Sequence, residues 1–266
     1  MTTPKPPVHT NPWQDLRQFT QARIALGRAG VSLPTGAQLA FQLAHARARD
    51  AVHQTLDVIA MAEALQQAGY QSLHVNSAAI DRNTYLQRPD LGRRLNEEAR
   101  QHLRQLSLPP TDLAIVIADG LSAPAVAQNA LPLLCSLQAR LTSDNWSLAP
   151  IIIATQARVA LGDETGALLN ARAVLVLIGE RPGLSSPDSM GAYLSWAPQP
   201  GLTDAARNCI SNIRPDGLSY EQAAYKLHYL LTEARKRGLT GVALKDETDA
   251  PVKLGGKGTN NFLLKK

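Results

Sequence analysis

Polar side chains that could hold or transform a ligand gather just after three apolar runs. Asp119-Gly120-Leu121-Ser122 follows residues 113–118, Thr155-Gln156-Ala157-Arg158-Val159 follows residues 149–154, and Gly179-Glu180-Arg181-Pro182-Gly183 follows residues 173–178. Glu180 offers the clearest chemistry. A carboxylate in a loop stiffened by proline and bounded by glycine can accept hydrogen bonds from a ligand's amides, or it can pair with Arg181 or another arginine. Ser122, Ser185 and Ser186 lie in loops, but none stands in a GxSxG elbow, so capping a helix or forming a turn is the simpler role. His45 and His53 could share a helix face yet lie too far apart to share a metal ion, and Asp163-Glu164 suits a helix N-terminus. Cys135 and Cys209 have no CxxC partner and no histidine at metal spacing; they read as reduced thiols. No GxGxxG follows the first apolar run and no GxxxxGK[ST] occurs, which disfavours a nicotinamide or ATP enzyme. The chain alone shows no self-sufficient catalytic constellation and no metal site.

The elements that must position these groups divide the chain in two. Leu39, Leu43 and Ala46 recur at helical spacing after Pro34-Thr35, and Leu91, Leu95, Ala99, Leu103 and Leu106 do so after Pro89-Asp90. Pro109-Pro110 closes that stretch, because the residue before a proline is steered out of the helical region. Beyond it, strand and helix alternate. Apolar runs at 113–118, 149–154 and 173–178 and a strand at 192–196 are separated by a helix capped by Ser122, which Pro132 should kink or split, and by a short helix near 163–170. A last helix carries Tyr220, Ala224, Leu227, Leu231 and Ala234 on one face. Unbroken apolar strands alternating with helices predict an α/β fold: an N-terminal helical segment, then a mainly parallel sheet with helices on both faces. The expected organisation is an arm at 1–15, helical residues 16–108, a ligand-holding domain at 109–250 and a basic tail at 251–266. Ligands of such a sheet bind beyond the carboxyl ends of its strands, where the three polar loops converge.

The net charge of +5 invites a nucleic-acid reading, but the basic excess falls in residues 1–110 and in the tail, while residues 111–250 carry more acid than base. With aromatics at 5%, there is no sign of a stacking surface along a basic track, so nucleic acid is not expected as a partner. No run approaches the ~18 apolar residues of a membrane span, and the N-terminus lacks the apolar centre of a secretion signal, so no membrane partner and a cytoplasmic location are expected.

Five strings carry a resemblance. "ARIALGRAG" (22–30), "RPDLGRRL" (88–95), "ADGLSAPAV" (118–126), "GERPGLSSPDS" (179–189) and "RNCISNIRPDG" (207–217) closely resemble the small, light subunit of ethanolamine ammonia-lyase, in order, over about residues 16–247. That family implies a hetero-oligomeric lyase that uses adenosylcobalamin to convert ethanolamine to acetaldehyde and ammonia. Its large subunit is a TIM barrel bearing the substrate site, and its small subunit has a Rossmann-like domain that covers the cofactor's lower face. The resemblance assigns cobalamin contacts to Glu180, Val159 and Cys209, with Arg158, Arg181 and Ser122 as neighbours by location. It also implies that the chain is inactive alone and that cobalt is held by the corrin. Proteins that replace the cofactor's benzimidazole with their own histidine show DxHxxG; none occurs here, so base-on binding is expected. Residues 16–108, with Arg23, Arg28, Arg93 and Arg94, are expected to hold the large subunit. Members destined for bacterial microcompartments carry a long N-terminal extension, and this arm is short. The alternatives are an independent Rossmann-like nucleotide-binding enzyme or a non-catalytic scaffold.

Overall fold

The computed structural model describes residues 8–248. The basic tail expected at 251–266 and most of the first half of the arm lie outside the described residues. Six strands, β1 (Ser72–Asn76), β2 (Thr111–Ala118), β3 (Ile151–Thr155), β4 (Ala171–Gly179), β5 (Met190–Trp196) and β6 (Arg207–Ile213), form one sheet in the order β1-β3-β2-β4-β5-β6. The pairs β1/β3, β3/β2 and β2/β4 are parallel, whereas β5 runs antiparallel to both β4 and β6. The sheet is thus mainly parallel, and the strand at which its order reverses, β2, sits at its centre.

Alternation along the central strands sorts the core into two layers. Leu113, Ile115, Ile117, Leu175 and Leu177 face helices α2 (Val58–Gln67), α6 (Ala123–Ser143) and α8 (Tyr220–Arg237). Ala114, Val116, Val174 and Val176 face the opposite side, where α5 (Glu97–Gln105) and α7 (Leu161–Leu168) cover them. Both faces of β2 and β4 are therefore buried, which is why these strands read as unbroken apolar runs.

Three details depart from the sequence reading. Residues 16–108 are not purely helical, because β1 lies within them and adds an edge strand beside β3. The helix expected across residues 91–106 is broken into α4 (Pro89–Gly92) and α5: Ser77 bridges to Leu95, and the Asn96 side chain caps α5 by accepting from Ala99 N–H. Pro132 does not split α6, which stays one helix from Ala123 to Ser143. The remaining N-terminal helices are α1 (Thr35–His53) and the short α3 (Arg82–Gln87). Leu39 and Leu43 do form a stripe on α1, but they stand 59% and 52% exposed, and Ala51 is the helix's one buried residue.

Candidate functional site

The three polar loops meet at the carboxyl edge of the sheet, and backbone contact locks two of them together. Gly120, at φ +56°, lies so close to the end of β4 that a Cβ would come within 2.2 Å of the Gly179 carbonyl oxygen; a Cβ on Gly179 would meet the Ser122 carbonyl at 2.0 Å. Leu121 N–H donates to Gly179 O at 2.9 Å, and Ser122 N–H to Asp119 O at 3.2 Å. The amides of this turn are thereby used up inside the protein, so it cannot serve as a phosphate nest. Asp119 ties in the third loop: its carboxylate accepts from Gln156 N–H at 2.9 Å and Ala157 N–H at 3.0 Å, with Arg82 3.5 Å away. Burial pushes the Asp119 pKa up, and those two amides and Arg82 pull against it.

Above this junction lies a cleft of about 420 Å³, with Arg158, Val159, Glu180, Arg181, Tyr193 and Ser211 in its wall. Four of the six residues singled out in the sequence thus converge. Glu180 does not pair with Arg181: its carboxylate accepts hydrogen bonds from the hydroxyls of Ser189 and Ser211 and from Asn212 N–H at 3.3 Å. Among the described residues it makes no ion pair, so a held but uncompensated negative charge faces the cleft. Gly191, at the irregularity between Met190 and Ala192 in β5, leaves room for it; a Cβ there would sit 3.0 Å from Glu180 Oε1.

Cys209 is exposed and lies opposite Tyr193 in the β5/β6 register. The surrounding protein shields its thiol enough to push the pKa up, with a hydrogen bond to Tyr193 opposing and the Glu180 charge adding to the rise. Burial, followed by the hydrogen bond with Cys209, pushes the Tyr193 phenol up as well. Ser122 takes another place. It is fully buried, caps α6 by accepting from Ala125 N–H, and donates to Pro187 O at 2.7 Å, beneath the cleft rather than in its wall.

Arg158 is fixed by packing. Its guanidinium stacks 4.4 Å from the Tyr85 ring centre, which Arg82 also approaches at 4.7 Å, and donates to Tyr85 O at 3.3 Å, while its buried Nε has no partner. Arg158 and Val159 also wall a second cleft of about 750 Å³, together with Arg93, Arg94 and Arg100. Arg158 and Val159 thus belong to the walls of both clefts. Sequence reasoning missed Ser189, Ser211, Tyr193 and Tyr85; the run RNCISNI did hold a signal, since Ile210 and Ile213 turn inward and leave Ser211 outside.

This arrangement can hold a ligand by hydrogen bonds to a fixed carboxylate, a phenol and guanidinium groups. It contains no nucleophile held by a base, and no group of three or more His, Cys, Asp or Glu among the described residues could hold a metal ion.

Comparison with known proteins agrees over nearly the whole length. The family model described as ethanolamine ammonia-lyase light chain (EutC) matches residues 10–245. A protein of Azotobacter vinelandii named ethanolamine ammonia-lyase small subunit is 59% identical, with 97% of each chain covered. Proteins of the same name from Xanthomonas campestris pv. campestris and Pseudomonas fluorescens are 58% and 55% identical, covering 95% and 98% of this chain and 93% and 97% of their own.

Proposed function

The chain belongs to the ethanolamine ammonia-lyase light-chain family, whose enzyme is a multi-subunit carbon–nitrogen lyase, and on that premise we propose that it holds adenosylcobalamin at the carboxyl edge of its sheet, against the large subunit. The observation that carries this reading is the convergence of Arg158, Val159, Glu180 and Arg181 on one cleft, with Cys209 outside its wall but paired in register with Tyr193, which lines it. A corrinoid presents a broad apolar ring edged with amides, and these residues fit it. Glu180 would accept from a ring amide, Tyr193 would exchange hydrogen bonds with a neighbouring one, and Val159 would pack against the ring's apolar surface. The buried, unpartnered Nε of Arg158 is a donor still to be satisfied.

When bound, the cofactor supplies a radical by homolysis of its cobalt–carbon bond. The work of this chain is orientation and enclosure: Ser189, Ser211 and Asn212 hold the Glu180 carboxylate before any ligand arrives, so less is lost in ordering it on binding. The independent nucleotide-binding alternative needs a phosphate nest after β2, and those amides are already committed. Residues 16–108, with the open face of α1, would dock the large subunit.

The test is ammonia release from ethanolamine with adenosylcobalamin, comparing this chain, its cognate large subunit and the mixture. Activity confined to the mixture supports the proposal. Activity from this chain alone, or none from folded subunits together, overturns it.

A further inference from the structure

The second cleft shares Arg158 and Val159 with the first, and its Arg93 and Arg94 were expected to face the large subunit; no ligand has been assigned to it so far. Its charges sort into committed and free. Arg100 is engaged by Glu164 at 2.6 Å and by Glu97, Asp90 by Arg88 at 2.8 Å, and the exposed Asp204 lies 3.5 Å from Arg207. Glu164 also accepts from Leu95 N–H at 2.9 Å. Arg93 and Arg94, by contrast, make no ion pair within 4 Å among the described residues, although Arg94 is near enough to Asp90 to help Arg88 lower its pKa; both are exposed and share the wall with Arg158, whose buried Nε is orphaned. The break between α4 and α5 produces this. Arg93 and Arg94 occupy the turn that Asn96 and the Ser77 bridge hold out of helix, and Gly92 O accepts from Arg158 N–H at 2.8 Å, fixing that turn to the loop after β3. Three guanidinium groups around an open cleft suit a group with several anionic oxygens.

We infer that Arg93, Arg94 and Arg158 form a subsite for a phosphate group. Because Arg158 and Val159 border both clefts, one ligand reaching over them could place its amides at Glu180 and a phosphodiester at the arginines. A cobalamin has this pairing, with amides on the ring and a phosphodiester in its nucleotide tail. The inference rests on the proposed cofactor role and reassigns Arg93 and Arg94 from partner contacts to ligand contacts.

The experiment measures equilibrium binding, by absorbance after dialysis, to the complex of this chain with its large subunit. Three ligands are compared: adenosylcobalamin, adenosylcobinamide phosphate, which lacks the base, and adenosylcobinamide, which lacks the phosphate too. The double variant Arg93→Ala/Arg94→Ala should co-purify with the large subunit, bind both phosphate-bearing ligands about tenfold more weakly, and bind adenosylcobinamide as the unsubstituted complex does. Glu180→Gln should weaken all three. Equal weakening of all three by the arginine variant, no weakening of any, or loss of the large subunit would overturn the inference while leaving the cofactor role standing. An unsubstituted complex that bound none of the three would overturn the cofactor role itself, and the subsite with it.

Discussion

Glu180 is a carboxylate whose surroundings define its task. Two hydroxyls and an amide hold it, yet among the described residues no cation neutralises it, so its charge is available to a donor from outside the chain. A hydrogen bond to a charged group is worth ~1.5–3 kcal/mol. Glu180→Gln in the assembled enzyme should therefore weaken cobalamin binding by roughly one to two decades, read by titration of the cofactor's absorbance. Ser211→Ala removes one of the groups that orient the carboxylate without touching its charge, and should weaken binding by only about threefold. Equal losses from the two substitutions would mean that the hydroxyl itself contacts the cofactor. The position of Glu180 was legible because an abrupt change from apolar run to charged loop marks a strand end. Ser122 was legible only as a polar residue in the right loop. Its burial depends on Pro187, 65 residues along the chain, and no local pattern reports that contact.

At the scale of elements, the central strands were readable because burial on both faces leaves the runs 113–118, 151–154 and 173–178 of β2, β3 and β4 without polar side chains. The edge strands β1 and β6 are solvated on one side and break the pattern with His74 in one and Asn208, Ser211 and Asn212 in the other, so neither stood out. The close approach of the β2 and β4 ends is likewise invisible locally, although it explains both glycines. Gly120→Ala would strain a positive φ and drive a methyl into the Gly179 carbonyl; it should cost at least about 2 kcal/mol and lower the unfolding midpoint by several degrees. A midpoint unchanged within a degree would show that the junction can open freely. A second junction ties α7 to β6: Asp163 pairs with Arg207, and both side chains are only 2% exposed. Burial outweighs the Arg207 attraction and pushes the Asp163 pKa up to about 6 from 3.8. The folded state then holds more protons than the unfolded state between about pH 4 and 6, so this group's contribution to stability is present below that window and is lost as pH rises through it. The advantage of the unsubstituted chain over Asp163→Asn should shrink from pH 4 to pH 6 and level off above. Thermal unfolding across that range checks the sign; an advantage that grew with pH would mean that the arginine's attraction prevails over burial.

For the molecule as a whole, the decisive feature is what the fold leaves uncovered. The sheet and its helices close a complete core, but α1 buries almost none of its own surface. Leu33, Leu39 and Leu43 stand more than half exposed beside Val31, which is fully exposed. A helix with an apolar stripe and so little packing behind it draws little stability from its own domain. The relatives' name, small subunit, implies a larger companion, and this face is where the companion would supply the missing layer. Leu39→Lys/Leu43→Lys should then abolish co-purification with the large subunit. The unfolding midpoint of the isolated chain should move by no more than about a degree, because neither side chain is buried in it and exposed substitutions rarely change stability by more than about 0.5 kcal/mol. The same variant should reduce any self-association of the isolated chain, seen by light scattering, since two lysines replace apolar surface. If the complex assembled as well with the lysines as without them, α1 would not be the docking element, and the large subunit would have to sit against another part of residues 16–108.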